Sequence, residues 1–391
     1  MRDDPKEKSG TQHIPFEQII RWLTEQQRLA HYGEDRPGLT DARQPEQPKS
    51  GPGGCAYPHA GVRTNLYGKG SVAYWTFEPT DPSPASASLI VLLHGWGGGS
   101  PARLGAWIDH LVKRGNVVVF PAYQGSLRPW SRPWDQVPAA MMLENVIAAV
   151  KDAIHRLQAE GHARLALDRF AITGLSLGGA LTTQVAAGAA KAGLPTPKAI
   201  MPVAPGRGLW ARRALPPGDL RNIPPTVLML VVVCEEDKNA GDYEGKVVFT
   251  QTSQIPAENK NLIVVASDYH GTPPLVTNHS SATAFHPAYQ MASFPNDDWL
   301  HRSMKPMAEQ PARGPNALHY YAYWKLFDGL VDAAFDQRNR EYALGNTPEQ
   351  RFMGIWSDGV PVKELRVITH PDVVPRRQFP KTLRTRRWLL P

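Results

Sequence analysis

The sequence predicts an α/β protein with a doubly wound, mostly parallel sheet, flanked by N- and C-terminal extensions. Three observations predict it. Short apolar runs such as Leu89 to Leu93 and Val227 to Val233 lack the in-out alternation of a half-exposed strand, so they read as strands buried on both faces. Helical stretches separate these runs, the pattern of a parallel sheet covered by helices. The composition suits a sizeable core, with 42% hydrophobic and 20% charged residues in a chain of 391.

Residues 1–60 read as a Pro/Gly-rich extension, with one short helix suggested by the spacing of Phe16, Ile19, Ile20 and Leu23. The stretch Glu34 to Pro58 is mostly turn formers and is expected to wrap a surface. Residues 61–340 carry the α/β pattern. β-branched and aromatic residues at 71–77 suit a strand. The apolar run 88–93 follows and ends at His94-Gly95. Ser100-Pro101 supplies an N-cap and a first-turn proline. Leu104, Trp107, Ile108, Leu111 and Val112 then fall on one helical face, which Gly115 closes.

Residues 116–120 predict the next strand, and roughly 135–158 a long helix with Val146, Val150, Ile154 and Leu157 on one face. A strand at 170–173 leads to an Ala-rich helix running up to Gly193. Three further strands follow at 198–203, 227–234 and 262–265. A helix near 317–335 places Tyr320, Tyr323, Trp324 and Phe327 at helical spacing, an aromatic stripe expected in the core. Residues 341–391 form a C-terminal extension with a basic tail.

Proline and glycine number 37 and 33, together about 18%, below the roughly 25–30% that signals disorder. No apolar run approaches the ~18 residues of a membrane span. The net charge of +7 invites a nucleic-acid partner. The one dense basic run, Arg376, Arg377, Lys381, Arg384, Arg386 and Arg387, comes without any nucleic-acid-binding motif and reads as a solvated tail. Two cysteines, Cys55 and Cys234, cannot build a disulfide framework or a zinc site alone, and Cys234 reads as a buried core residue. The first residues lack the apolar core of a secretory signal. That implies a cytoplasmic protein, or a secreted one whose leader has been removed.

The chemistry-bearing segment is Thr173-Gly174-Leu175-Ser176-Leu177-Gly178-Gly179, a G-x-S-x-G pattern between a strand and a small-residue helix. A sharp strand-to-helix turn lifts the serine oxygen clear of the sheet, and the glycines let backbone crowd together there. The helix N-terminus favours an anion beside the serine. His94-Gly95-Trp96-Gly97-Gly98-Gly99 follows the buried strand 88–93. It lacks the Lys-Ser/Thr of a phosphate-binding P-loop and the G-x-G-x-x-G of a dinucleotide site. Backbone amides of Leu177 and Trp96 are expected to receive a developing oxyanion.

These features resemble the α/β-hydrolase family over roughly residues 70–335, and the open, aromatic-edged site they imply is similar to that of cutinase- and dienelactone-hydrolase-like esterases. The resemblance implies a serine hydrolase of carboxylic esters, without cofactor or metal, acting on a small-molecule or polymeric ester. It implies Ser176 as nucleophile, an acid after strand 227–234 and a histidine after the last parallel strand. Asp237 is the expected acid, with Glu236 the alternative beside Glu235. His270 is the expected base, five residues past the strand end, and His279 its competitor. Asp268, His270 and His279 could instead begin a metal site, but nothing fixes further ligands.

Trp96, Tyr123 and Gln124 are expected to line the substrate pocket at the carboxyl ends of the strands. The stretch from Gly206 to Pro225 is short for a large cap, and its Arg207, Arg212 and Arg213 could meet an acidic substrate. A peptidase or acyltransferase using the same residues, or a non-catalytic binding protein on this scaffold, are the alternative readings.

Overall fold

The computed structural model describes residues 38–96, 98–124, 137–159, 161–207, 218–290 and 314–373. The helix expected around Phe16 to Leu23, the basic run from Arg376 to Arg387, and Arg212 and Arg213 lie outside the described residues.

A nine-stranded sheet forms the frame. Its strands are β1 (Gly61–Tyr67), β2 (Tyr74–Thr80), β3 (Ser86–Leu93), β4 (Asn116–Pro121), β5 (Arg164–Leu175), β6 (Ala199–Val203), β7 (Leu228–Cys234), β8 (Lys260–Val265) and β9 (Arg366–Ile368). The spatial order is β1-β2-β4-β3-β5-β6-β7-β8-β9. β3 to β8 run parallel, whereas β1, β2 and β9 pair antiparallel at the two sides. The chain leaves β3 for β4 on one side and returns to β5 on the other. The carboxyl ends of β3 and β5 therefore flank the reversal of strand order, where open α/β sheets gather ligands.

Helices cover both faces. The longer ones are α1 (Gly105–Lys113), α2 (Ala139–Leu157), α3 (Leu177–Ala192), α4 (Tyr243–Gln251) and α5 (Lys325–Asp336). Alternate residues of each buried strand serve opposite layers. Ile90 and Leu92 join Trp107, Ile108, Leu111 and Phe327 on one side. Leu89, Val91 and Leu93 join Val146, Val150, Leu181 and Val185 on the other. Full burial of such side chains stabilises by roughly 1.5–3 kcal/mol each, so two-faced burial makes the strands around the reversal the rigid part of the molecule.

The predicted elements shift in explicable ways. Residues 70–72 form a 3-10 turn, and the strand begins only at Tyr74. The Ser100-Pro101 signal starts a 3-10 turn at 101–104, with Ser100 Oγ accepting from the Ala102 amide, before α1 begins. β5 starts well before Phe170 and tolerates Arg164 and Asp168 along its half-exposed first half. α3 ends as expected on Gly193, which adopts a left-handed φ of 69°. β1 went unanticipated because its sequence, GVRTNLY, breaks its apolar residues with Arg63, Thr64 and Asn65; Arg63 lies opposite Glu78 in the register and pairs with it at 2.7 Å. α4 and β9 also carry too weak an apolar signal to read.

Segments outside the expected core are bound into it. Leu39 and Thr40 donate backbone hydrogen bonds to the carbonyls of Tyr269 and His270, and Ser357 donates to Arg43. The Trp356 ring is buried, and its Nε1 donates to Asp268 at 3.1 Å. Leu344, Met353, Val362 and Leu365 are buried in the same core.

Candidate active site

Ser176 sits at the turn between β5 and α3 with φ 59° and ψ −116°. A non-glycine residue reaches that region only when its surroundings hold it there. The surroundings do: the Ser176 amide donates to Val203 and its carbonyl accepts from the Gly206 and Ala180 amides. Gly174 and Gly178 make the close approach possible. A Cβ on Gly178 would lie 2.2 Å from the Leu93 carbonyl oxygen, and one on Gly174 would lie 2.6 Å from the Gly178 backbone. Leu177 is the first residue of α3, where the amide has no acceptor within the helix.

Asp237 and His279 complete a hydrogen-bonded chain. His279 Nε2 lies 2.9 Å from Ser176 Oγ, and His279 Nδ1 lies 2.7 Å from Asp237 Oδ2. The other Asp237 oxygen accepts from the Asn239 and Ala240 amides, both at 2.8 Å. Burial alone would raise the Asp237 carboxyl; the His279 hydrogen bond and charge, with these amides, outweigh it and hold the group below its ordinary value. An ionised acceptor at Nδ1 fixes the tautomer whose Nε2 accepts the serine proton. The neighbouring acids are engaged elsewhere. Glu236 accepts from the Tyr269 hydroxyl at 2.6 Å, and Glu235 from the Ser267 amide and Arg366.

His270 is corrected by this geometry. Its Nε2 lies 2.7 Å from Asp358 Oδ2, not on the serine. The reason is a small excursion after β8: Asp268 and Leu275 exchange both backbone hydrogen bonds at 2.8 Å, so the chain doubles back. Residues 269–274 are looped out, and Thr277 re-enters to accept from the Glu236 amide. His279, nine residues later, therefore reaches Ser176. Asp268 is also accounted for, accepting from Trp356 Nε1 and the amides of His270 and Lys363. Among the described residues, no group of three or more His, Cys, Asp or Glu side chains is arranged to hold a metal.

The loop after β3 meets the serine directly. A Cβ on Gly95 would lie 3.3 Å from Ser176 Cβ, and the Gly98 amide closes a turn onto the Gly95 carbonyl at 3.0 Å. Trp96 follows Gly95 and is 38% exposed. Tyr123 and Gln124, expected as pocket walls, are buried instead. The Tyr123 ring stacks on His94 with centroids 4.1 Å apart, and its hydroxyl donates to the His94 carbonyl. It props the loop from behind. His94 Nδ1 bonds the Gly95 carbonyl at 2.7 Å, and burial lowers its imidazole to about 4.

No protein-family model and no curated protein sequence matches the chain. Its chemistry is carried by these distances. Arg207 lies beside Glu244, 3.6 Å away. Cys55 and Cys234 are free thiols, the first exposed and the second buried. Sequence reasoning missed the polar chain behind the site, Cys234, Tyr323 and Ser281, because each residue alone reads as ordinary core or turn.

Proposed function

We propose that the chain is a serine hydrolase of the α/β-hydrolase type that cleaves carboxylic esters. The observation that carries the reading is the unbroken chain Ser176 Oγ to His279 Nε2 to Asp237, at 2.9 and 2.7 Å, on a serine held at positive φ. A serine hydroxyl is a poor nucleophile until a base accepts its proton, and the base needs an acid that fixes its tautomer.

In this reading Ser176 Oγ attacks the ester carbonyl while its proton passes to His279 Nε2. Asp237 stabilises the resulting imidazolium and stays ionised. The amides of Leu177 and Trp96 receive the oxide as it forms. As the tetrahedral species collapses, the carbon–oxygen bond to the alcohol breaks and His279 returns the proton to it. Water then repeats the sequence on the acyl-enzyme, releasing the acid and restoring Ser176. The exposed indole of Trp96 offers an apolar rim to the bound acyl or alcohol group.

Labelling with a fluorophosphonate tests the reading. The wild-type chain is expected to be labelled and Ser176→Ala is not. A wild-type chain that resists the reagent refutes it. Turnover of p-nitrophenyl esters over peptide anilides is expected; turnover of the anilides alone moves the assignment to amide hydrolysis.

A further inference from the structure

We propose that Tyr323 is a positioning residue for the Ser176–His279–Asp237 relay, acting through a buried hydrogen-bond chain that ends on the peptide group of His279. The inference rests on the serine-hydrolase reading. Cys234 ends β7 three residues before Asp237, and Ser281 follows His279 by two. Both reach the Tyr323 hydroxyl, Ser281 Oγ at 2.6 Å and Cys234 Sγ at 3.3 Å. The segments carrying the acid and the base thus meet at this phenol, and Cys234 Sγ also lies 3.6 Å from Ser281 Oγ.

The protons can be assigned. Ser281 Oγ donates to the Asn278 carbonyl at 2.7 Å, and that carbonyl belongs to the peptide bond leading into His279. With its own hydrogen used, Ser281 Oγ accepts from Tyr323, whose oxygen in turn accepts from the Cys234 thiol. The Ser281 amide also donates to Asn278, at 3.2 Å. All three side chains are buried. Burial pushes the Cys234 thiol up to about 11 and the Tyr323 phenol well above its usual value, so both remain neutral donors.

The backbone around Tyr323 is unusual as well. Residues His319–Trp324 form a π-helical turn ahead of α5. Such turns are rare and recur at functional sites. Ala322, Tyr323 and Trp324 of this turn are all buried. The two ring bonds of His279 fix its imidazole, and the Tyr323 chain fixes the backbone carrying it. A misplacement of about 1 Å in such a relay costs on the order of 10²-fold in rate.

The test uses the full chain, with Tyr323→Phe as the main variant and Tyr320→Phe as control, since among the described residues the Tyr320 hydroxyl bonds the Pro315 carbonyl near the surface and no part of the Ser281–Cys234 chain. Tyr323→Phe is expected to lower kcat for a p-nitrophenyl ester about tenfold, with KM within about twofold. It is also expected to move or broaden the downfield proton resonance of His279 Nδ1–H. Tyr320→Phe is expected to change neither. A Tyr323→Phe chain with unaltered kcat and resonance overturns the proposal, even if its melting temperature has dropped. Should Tyr323→Phe fail to fold, Ser281→Ala cuts the same chain at its His279 end and decides by the same two measurements. If the wild-type chain neither hydrolyses esters nor takes the fluorophosphonate, the hydrolase reading has failed, and the resonance alone decides the role of Tyr323.

Discussion

Acidification should unfold this protein earlier than its carboxylates alone would dictate, because His94 is buried without room for a second proton. Its Nδ1 hydrogen is used by the Gly95 carbonyl, and Nε2 has no partner among the described residues. Protonation would add a charged N–H at Nε2 with no acceptor among the described residues, on a ring buried beneath the stacked faces of Tyr123 and Phe120. The imidazole accordingly titrates at about 4 when folded, against 6.5 for the ordinary group. Between those values the unfolded chain binds more protons, so stability present above pH 6.5 is lost as the pH falls toward 4. That difference ties up to about 3 kcal/mol to the single ring, of which about 2 kcal/mol is gone by pH 5. Against a total stability of about 5–15 kcal/mol, this is a large share.

Urea unfolding followed by tryptophan fluorescence at pH 7 and pH 5 measures the loss. His94→Asn keeps a donor for Gly95 but cannot titrate. It should be less stable than wild type at pH 7, yet lose about 2 kcal/mol less on moving to pH 5. Equal losses in the two proteins would refute the reasoning. His319, buried and likewise lowered to about 4, accounts for a similar pH dependence remaining in the variant.

Two further outcomes follow from the geometry. His279→Ala and Asp237→Asn should each lower kcat/KM for esters by about 10⁴-fold, whereas His270→Ala, which removes the Asp358 hydrogen bond and the ring contact with Trp356 but no contact with Ser176, should stay within about tenfold of wild type; steady-state kinetics on the three variants decide it. Gly178→Ala should destabilise by at least about 1–3 kcal/mol, because the added methyl meets the backbone of Leu93 and His94, while Gly188→Ala in the same helix meets nothing within 4 Å and should gain roughly 0.5–1 kcal/mol. Thermal melts of the two variants compare them directly.

The parallel block of the sheet was legible because its strands are buried on both faces, and two-faced burial writes an uninterrupted apolar run into the sequence. The serine turn was legible because steric crowding demands glycine at Gly174 and Gly178. The histidine was not. Distance from a strand end is a poor guide when the chain makes an excursion, and the Asp268–Leu275 pairing that loops out His270 leaves no mark stronger than Pro273-Pro274. Tyr123 misled for another reason. A residue at the carboxyl end of a strand can face the ligand or the loop behind it, and only packing against His94 decides between them. Strands β1 and β9 lie at the sheet margins, where polar residues are tolerated and the apolar signal fades.

The strap formed by residues 39–43 and 356–358 has a practical consequence for anyone trimming the chain. It grips Tyr269 and His270, within the same connection after β8 that delivers His279. Cutting the polypeptide back to its central α/β portion would leave the serine on its turn but strip the outer support from the histidine's loop. Such a fragment would keep the serine turn and lose what steadies His279 against it, so both flanks belong with the central portion.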